Sequence, residues 1–243
     1  MALKMTADGC EKRERRTLIN DLRNEAASPN YSSACATITA LKRLRHNYSM
    51  NLGLTGGMGC GKSTAARCFA DHGLRRIDSD ALVRTEVLTA PDVVACIGER
   101  FGHGVLAADG AIDRARLAGI VFGDDAARRW LEALLHPRVR ALWQAQLRAA
   151  PEAAWVVEIP LLFENGLENR FDFVVCVACS PSLQLARLEQ RGMARTLAEQ
   201  RISKQLPLVR KTELSDFVLS NDGTPDFLRQ QVSLLVARLG VAR

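Results

Sequence analysis

The chain has 243 residues, of which 47% are hydrophobic and 25% charged, a balance typical of a globular protein with room for one sizeable α/β domain. It contains no run of 18 apolar residues, which argues against a transmembrane helix, and no continuous apolar segment of the kind that a signal peptide needs. Its seven cysteines are odd in number and irregularly spaced, so we expect free thiols in a reducing, cytoplasmic compartment.

The positive charge is unevenly distributed. Of the net charge of +6, residues 1–49 carry +4, from nine Lys and Arg against five Asp and Glu. Residues 50–243 hold 24 basic and 22 acidic residues, a net charge of only +2. A globular part so close to neutrality is poor evidence for a polyanion-binding face, so we expect no nucleic-acid partner and no membrane partner.

Residues 1–49 also differ from the rest in pattern. A charged stretch from Glu11 to Arg16 is followed by sequence containing Ser, Asn and Pro, and no apolar period is sustained. We interpret this segment as a disordered or accessory N-terminal extension, or as sequence upstream of a start at Met50. The alternative is a basic arm with a partner of its own.

Residues 56–63 form the phosphate-binding pattern G-x-x-x-x-G-K-[ST], between a short apolar strand and a helix-forming segment. The glycines let backbone N–H groups approach a triphosphate, and the helix N-terminus that follows favours anions. Lys62 is expected to reach the β- and γ-phosphates, and the Ser63 hydroxyl to ligate Mg²⁺. The residues expected to contact the triphosphate are Gly57, Gly59, Cys60, Gly61, Lys62, Ser63 and Thr64.

A second short strand, over residues 74–78, leads into two carboxylates, Asp78 and Asp80. One of them is interpreted as a general base for an acceptor hydroxyl, or as the group that positions this hydroxyl. The alternative is that an aspartate caps the following helix. Both interpretations can hold together, with Asp78 structural and Asp80 catalytic.

Only helices are predicted between about residues 81 and 150. The segment from Pro91 to Arg100 has a helical apolar period, Asp113 is a predicted helix cap, and Asp124 begins another helix. Pro137 is predicted to kink or restart this last helix.

The remaining strands are predicted at residues 155–159, 172–178 and 217–220. The second of these is nearly all apolar, as expected for a strand buried on both faces. Strands that alternate with helices predict an α/β fold with a parallel β-sheet flanked by helices. In such a sheet the phosphate loop lies at the carboxyl edge, where the other strand ends surround it.

The helices that accompany these strands have recognisable start signals. Ser180 followed by Pro181 predicts one helix start, and the segment from Thr196 to Glu199 has the pattern of a capping box. A closing amphipathic helix is predicted from Thr224 to Leu239, with Phe227 facing inward.

Further motifs follow in order from about Met50 to Leu239. Two of them, Leu131-Glu132-x-x-x-His136-Pro137 and Ile159-Pro160-Leu161-Leu162-Phe163-Glu164, are far more specific than a phosphate loop, which very many NTPases share. In this combination the chain resembles the dephospho-CoA kinase family. It departs from the family pattern at Cys60, where Ser is usual, and at Ser79, where Ala is usual.

The resemblance implies a P-loop kinase with a helical substrate-binding insertion and a lid. The kinase domain would span residues 50–243, with its core at 50–80 and 151–243, the CoA-binding insertion at about 81–150 and the lid at about 187–204. The implied reaction transfers the γ-phosphoryl group of ATP to the ribose 3′-hydroxyl of dephospho-CoA, with Mg²⁺ as cofactor. By position, Asp80 takes the family's base role.

Each remaining site residue has two interpretations. Glu158 ends a strand where a carboxylate can hold Mg²⁺ or its water, or it is a hydrogen-bonded structural acid. Arg187 and Arg191 are separated by one helical turn. They are interpreted either as a clamp on the transferring phosphoryl group or as part of a solvated helix face. Arg114 and Arg140 are candidate contacts for the acceptor's phosphates, and Arg140 could equally be solvated. His136 binds substrate or only shapes the break at Pro137.

Two rival functions are compatible with parts of the sequence. A nucleoside or nucleotide kinase would share this architecture. A regulatory P-loop switch or a nucleic-acid-linked NTPase would need switch loops or a basic face, and residues 50–243 show neither pattern.

A chain that begins at Met50 should fold and phosphorylate dephospho-CoA about as well as the full chain, because every motif named above lies after residue 49. The large apolar residues of the segment 1–49 are few and scattered. Deletion of this segment should therefore lower the free energy of unfolding by about 1 kcal/mol or less if one such side chain docks. The thermal midpoint and kcat/KM of the two chains check this. A drop of about 10 °C or a tenfold loss of kcat/KM would mean that residues 1–49 pack on the core.

Overall fold

The computed structural model describes residues 50–241, so the interpretation of residues 1–49 lies outside the described residues. Within this range the strands are β1 (Asn51–Gly56), β2 (Arg75–Asp78), β3 (Trp155–Glu158), β4 (Phe173–Ala178) and β5 (Phe217–Ser220). The helices are α1 (Lys62–Asp71), α2 (Ser79–Leu82), α3 (Pro91–Phe101), α4 (Arg114–Gly123), α5 (Asp125–Ala149), α6 (Pro181–Glu189), α7 (Arg195–Ser203), α8 (Leu208–Leu214) and α9 (Pro225–Leu239).

The five strands of the described range form one parallel sheet in the order β2-β3-β1-β4-β5. This confirms the predicted α/β fold with a parallel sheet flanked by helices. β1 lies at the centre, so the loop that follows it opens in the middle of the carboxyl edge. The ends of β2 and β3 lie on one side of this loop, and the ends of β4 and β5 lie on the other.

Alternate residues of the strands point into two apolar cores, one on each face of the sheet. Leu54 and Val156 belong to the core that α1 and α9 cover. Val157 and Val174 belong to the opposite core, which contains Trp143 of α5. The block between β2 and β3 is helical, with a π-helical turn after α2, and it covers this second face.

Two of the helix caps confirm the sequence predictions. The Asp113 side chain accepts hydrogen bonds from the backbone N–H groups of Ala115 and Arg116 at the start of α4. Asp124 does the same for Ala126 and Ala127 at the start of α5. In both cases an aspartate satisfies N–H groups that have no partner within the helix.

Three local predictions are wrong. Helix α5 continues through Pro137, so the predicted restart there is wrong, and packing against the second core compensates for one missing N–H donor. Helix α7 begins at Arg195 after Ala194, without a side-chain cap, and Glu199 accepts a hydrogen bond from Arg195 instead of closing a capping box. In α9 the side chain of Phe227 is 47% exposed, and Leu228 is the fully buried residue.

No helix within residues 50–241 combines the length and apolar character needed to cross a membrane.

Candidate active site

The phosphate loop is a glycine-rich turn that is held from outside by two amide side chains. Gly61 has φ 91°, which disfavours any residue with a Cβ atom, and such an atom would lie 2.2 Å from Nδ2 of Asn221. Nδ2 of Asn221 donates a hydrogen bond to the carbonyl oxygen of Cys60 at 2.8 Å. Gln184 of α6 donates to the carbonyl oxygen of Met58 at 2.6 Å. The loop conformation therefore depends on groups that follow β4 and β5.

Lys62 is the first residue of α1, and its side chain folds back over the loop. Its Nζ donates to the carbonyl oxygens of Gly56 at 3.2 Å and Gly57 at 3.0 Å. Burial lowers the pKa of Lys62, and the charge of Glu158 partly opposes this. The sequence prediction that this lysine serves the phosphate loop agrees with its position against the loop backbone.

The Cys60 side chain points into the protein. Its Sγ lies 3.4 Å from Sγ of Cys179, and both residues are buried. Contact with Cys179 lowers the pKa of the Cys60 thiol, although burial opposes the change. Cys60 can therefore contact a phosphate only through its backbone N–H group, as the neighbouring glycines do.

A buried carboxylate joins the phosphate loop to the two strands beside it. Oε1 of Glu158 accepts from the Ser63 hydroxyl at 2.7 Å, and Oε2 accepts from Nη2 of Arg76 at 3.1 Å. The same Arg76 nitrogen lies 3.1 Å from Oδ2 of Asp78. The sheet register explains the cluster, because Glu158 stands beside Leu54 of β1 and Asp78 of β2.

The two aspartates after β2 have different surroundings. Asp78 caps α2, since its Oδ1 accepts from the N–H of Ala81 at 2.9 Å while Oδ2 pairs with Arg76. Asp80 lines a cleft. Desolvation by the surrounding protein atoms, followed by the charge of Asp78, raises the pKa of Asp80, while Lys62 and Arg84 oppose this. Although solvent still reaches Asp80, the raised pKa is consistent with a carboxylate facing a partly enclosed cavity.

This cavity has a volume of about 100 Å³ and lies between α2, α5 and the loop after β3. Its wall is mostly apolar, with polar groups from Asp80, His136, Arg140 and Asn165. Burial lowers the pKa of His136, and the charge of Arg140 adds to this effect. Within the described range, Nε of Arg140 is buried without a hydrogen-bond partner, which is costly unless a ligand supplies an acceptor.

The remaining predicted arginines are dispersed. Arg187 of α6 donates to the carbonyl oxygen of Asn221 at 2.9 Å, and its Nη1 is buried without a partner among residues 50–241. Arg191 is exposed and lies beyond the end of α6, so the expectation that it follows Arg187 by one turn of the same helix is wrong. Arg114 is exposed at the start of α4 and is absent from the lining of the cavity.

Sequence reasoning did not assign roles to Arg76 and Asn221. Arg76 could have been found from the period of the strand, because residues 76 and 78 of β2 share one face of the sheet. Asn221 gave no such signal, since its partner Cys60 is 161 positions away in the sequence.

Comparisons with known proteins agree with this geometry. Residues 50–226 match the family model described as dephospho-CoA kinase. The dephospho-CoA kinase of Thermosynechococcus vestitus is 39% identical over 193 residues, covering 79% of this chain and 95% of the relative.

Among solved structures, the protein TT1252 from Thermus thermophilus superposes with a TM-score of 0.68 at 31% identity, covering 79% of this chain and 99% of the other. The dephospho-CoA kinase from Campylobacter jejuni superposes with a TM-score of 0.59 at 28% identity, covering 78% and 96% of the two chains.

Replacement of Lys62 by alanine should abolish most turnover while the protein stays folded, because it removes a cation from the site where phosphate charge develops. The expected loss in kcat is roughly 10²–10³-fold. Arg67→Ala, at an exposed position of the same helix, is the matched control and should keep full activity. Circular dichroism and steady-state kinetics check both variants. A folded Lys62→Ala protein with near-normal kcat would contradict the role assigned to the loop.

Proposed function

Because the chain belongs to the dephospho-CoA kinase family, we propose that it transfers the γ-phosphoryl group of ATP to the ribose 3′-hydroxyl of dephospho-CoA, giving CoA and ADP. This reaction is the last step of coenzyme A synthesis, and we place it in the cytoplasm. One observation carries the proposal. Asp80, just after β2, lines a cavity and is close enough to Lys62 of the phosphate loop for their charges to interact.

On the donor side, the loop binds the ATP phosphates through backbone N–H groups at the start of α1. Lys62 turns from the loop carbonyls towards the β- and γ-phosphates and neutralises their charge. The other residues assigned to this binding are Gly57, Gly59, Cys60, Gly61, Ser63 and Thr64.

The groups at the end of β3 fit a magnesium ion. The Ser63 hydroxyl and Oε1 of Glu158 are oxygen ligands of the kind that Mg²⁺ prefers, and they already lie 2.7 Å apart. Arg76 holds Oε2 of Glu158, so Oε1, which accepts from the Ser63 hydroxyl, is the oxygen that would face the ion or its water. When bound with ATP, Mg²⁺ neutralises charge on the phosphate oxygens.

On the acceptor side, Asp80 orients or deprotonates the 3′-hydroxyl. A loose transition state for phosphoryl transfer needs little base assistance, so orientation alone can suffice. The unpaired Nε of Arg140 supports a contact with an acceptor phosphate, and His136 lines the same cavity. Arg114 is assigned to a phosphate further out, and Asp78 supports the substrate side through its cap of α2.

The helical block at about 81–150 serves as the CoA-binding insertion, and the segment at about 187–204 as the lid. Arg187 donates to the carbonyl oxygen of Asn221, the residue that holds the phosphate loop, and its unpaired Nη1 is available for a phosphoryl oxygen. Arg191 is exposed at the start of the lid and would reach the site on closure. Closure over both substrates excludes water from the transfer step.

Replacement of Asp80 by asparagine keeps the shape of the side chain but removes its charge. We expect kcat to fall on the order of 10²-fold, with ATP binding little changed. Because the pKa of Asp80 is raised, the wild-type activity should begin to fall on acidification at a higher pH than an ordinary aspartate would give.

Asp78→Asn is the matched comparison for this prediction. It should leave kcat near the wild-type value and lower the thermal midpoint only slightly, because asparagine still caps α2 and only the charge opposite Arg76 is lost. If Asp78→Asn loses the turnover and Asp80→Asn retains it, the roles of the two carboxylates are reversed.

The proposed function is tested by ADP release in a coupled assay with dephospho-CoA as the only acceptor. The expected result is ADP formation that requires dephospho-CoA, with a product phosphorylated at the ribose 3′-position by ³¹P NMR. Nucleosides and nucleoside monophosphates are offered as competing acceptors in parallel. Turnover with these and none with dephospho-CoA would favour a nucleoside or nucleotide kinase instead.

A further inference from the structure

Lys211 of α8 is a fully buried lysine outside the phosphate loop. Its side chain has no exposed surface, and its Nζ lies 2.8 Å from the carbonyl oxygen of Pro160 and 2.8 Å from Oε1 of Glu164. Burial of an ammonium group is unfavourable unless a partner compensates its charge, and replacement of such pairs by apolar residues is often neutral or stabilising. Stability alone is therefore a weak explanation for this pair.

The partners of Lys211 belong to segments that are far apart in the sequence. The Pro160 carbonyl also accepts from the hydroxyl of Thr55, the β1 residue just before the phosphate loop, at 3.2 Å. Oε1 of Glu164 also accepts from the N–H of Leu206 at 2.9 Å, just after α7. We call these five residues the Lys211 cluster. It links the phosphate-loop strand, the loop after β3 and the segment that follows α7.

The cluster also lies between the donor and acceptor sides. Pro160 lines the cavity that contains Asp80. The charge of Lys211 contributes to the lowered pKa of Lys62, so the two ammonium groups are within electrostatic range. A shift of the Pro160 carbonyl would therefore move the cavity wall relative to the phosphate loop.

We propose that Lys211, paired with Glu164, is a positioning residue for phosphoryl transfer. It holds the wall of the acceptor cavity in register with the phosphate loop and with the end of the lid segment. This inference rests on the proposed function, because it concerns how the dephospho-CoA hydroxyl is aligned with ATP. Misalignment of about 1 Å can cost roughly 10²-fold in rate.

The main test is Lys211→Met, which keeps most of the chain length and removes the charge. We expect kcat with dephospho-CoA to fall roughly 10- to 100-fold and KM for ATP to stay within about twofold, since Lys62 and the loop are unchanged. Leu228→Ala is the matched control, because Leu228 is equally buried but lies in the opposite core. It should lower the thermal midpoint and leave kcat near the wild-type value.

A double variant separates positioning from stability. Lys211→Met leaves the Glu164 carboxylate without its partner, and the added Glu164→Gln removes this charge while keeping an acceptor for Leu206. We expect the double variant to recover thermal stability without recovering kcat. Should Lys211→Met fail to fold, the near-isosteric single variant Glu164→Gln carries the test, with an expected loss of kcat at unchanged KM for ATP.

The possible outcomes are distinct. Wild-type kcat in Lys211→Met, or recovery of kcat together with stability in the double variant, would overturn the positioning role and leave the proposed function intact. A wild-type protein that does not phosphorylate dephospho-CoA would overturn the proposed function and this inference with it. Loss of kcat that persists in the stable double variant supports the inference.

Discussion

The buried carboxylate of Glu158 connects the three parts of the chain that must act together. It accepts a hydrogen bond from Ser63 at the start of α1 and from Arg76 of β2, while its own backbone belongs to β3. A carboxylate at this depth is tolerated only because both of its oxygens are paired. Loss of Arg76 would leave the carboxylate charge uncompensated and loss of Ser63 would leave one oxygen unpaired, so the network favours one arrangement of α1, β2 and β3.

The strand order distributes the tasks around this network. β1 is central, so the phosphate loop opens between two groups of strand ends. The ends of β2 and β3 lead to Asp80 and the cavity on the acceptor side. The segments after β4 and β5 provide Gln184 and Asn221, which hold the loop backbone from the other side. Donor and acceptor thus meet at one edge, although their residues come from distant parts of the sequence.

The sequence predicts those features that depend on local pattern. Buried parallel strands appear as apolar runs, and Asp113 caps a helix because its side chain satisfies nearby N–H groups. The failures have a tertiary cause. Pro137 does not interrupt α5. In α9 the buried residue is Leu228 and Phe227 is exposed. In both cases packing against other elements outweighs the local sequence signal. The contacts of Lys211 with Pro160 and of Asn221 with Cys60 could not be predicted, because the partners are 51 and 161 positions apart in the sequence.

The central claim is that Asp80 faces the hydroxyl that receives the phosphoryl group. A crystal structure with a non-hydrolysable ATP analogue and dephospho-CoA tests this directly. The account predicts that the ribose 3′-oxygen lies about 2.6–3.2 Å from a carboxylate oxygen of Asp80, with the γ-phosphate analogue beside Lys62. A ribose bound away from Asp80, with its 3′-oxygen directed out of the cavity, would contradict it.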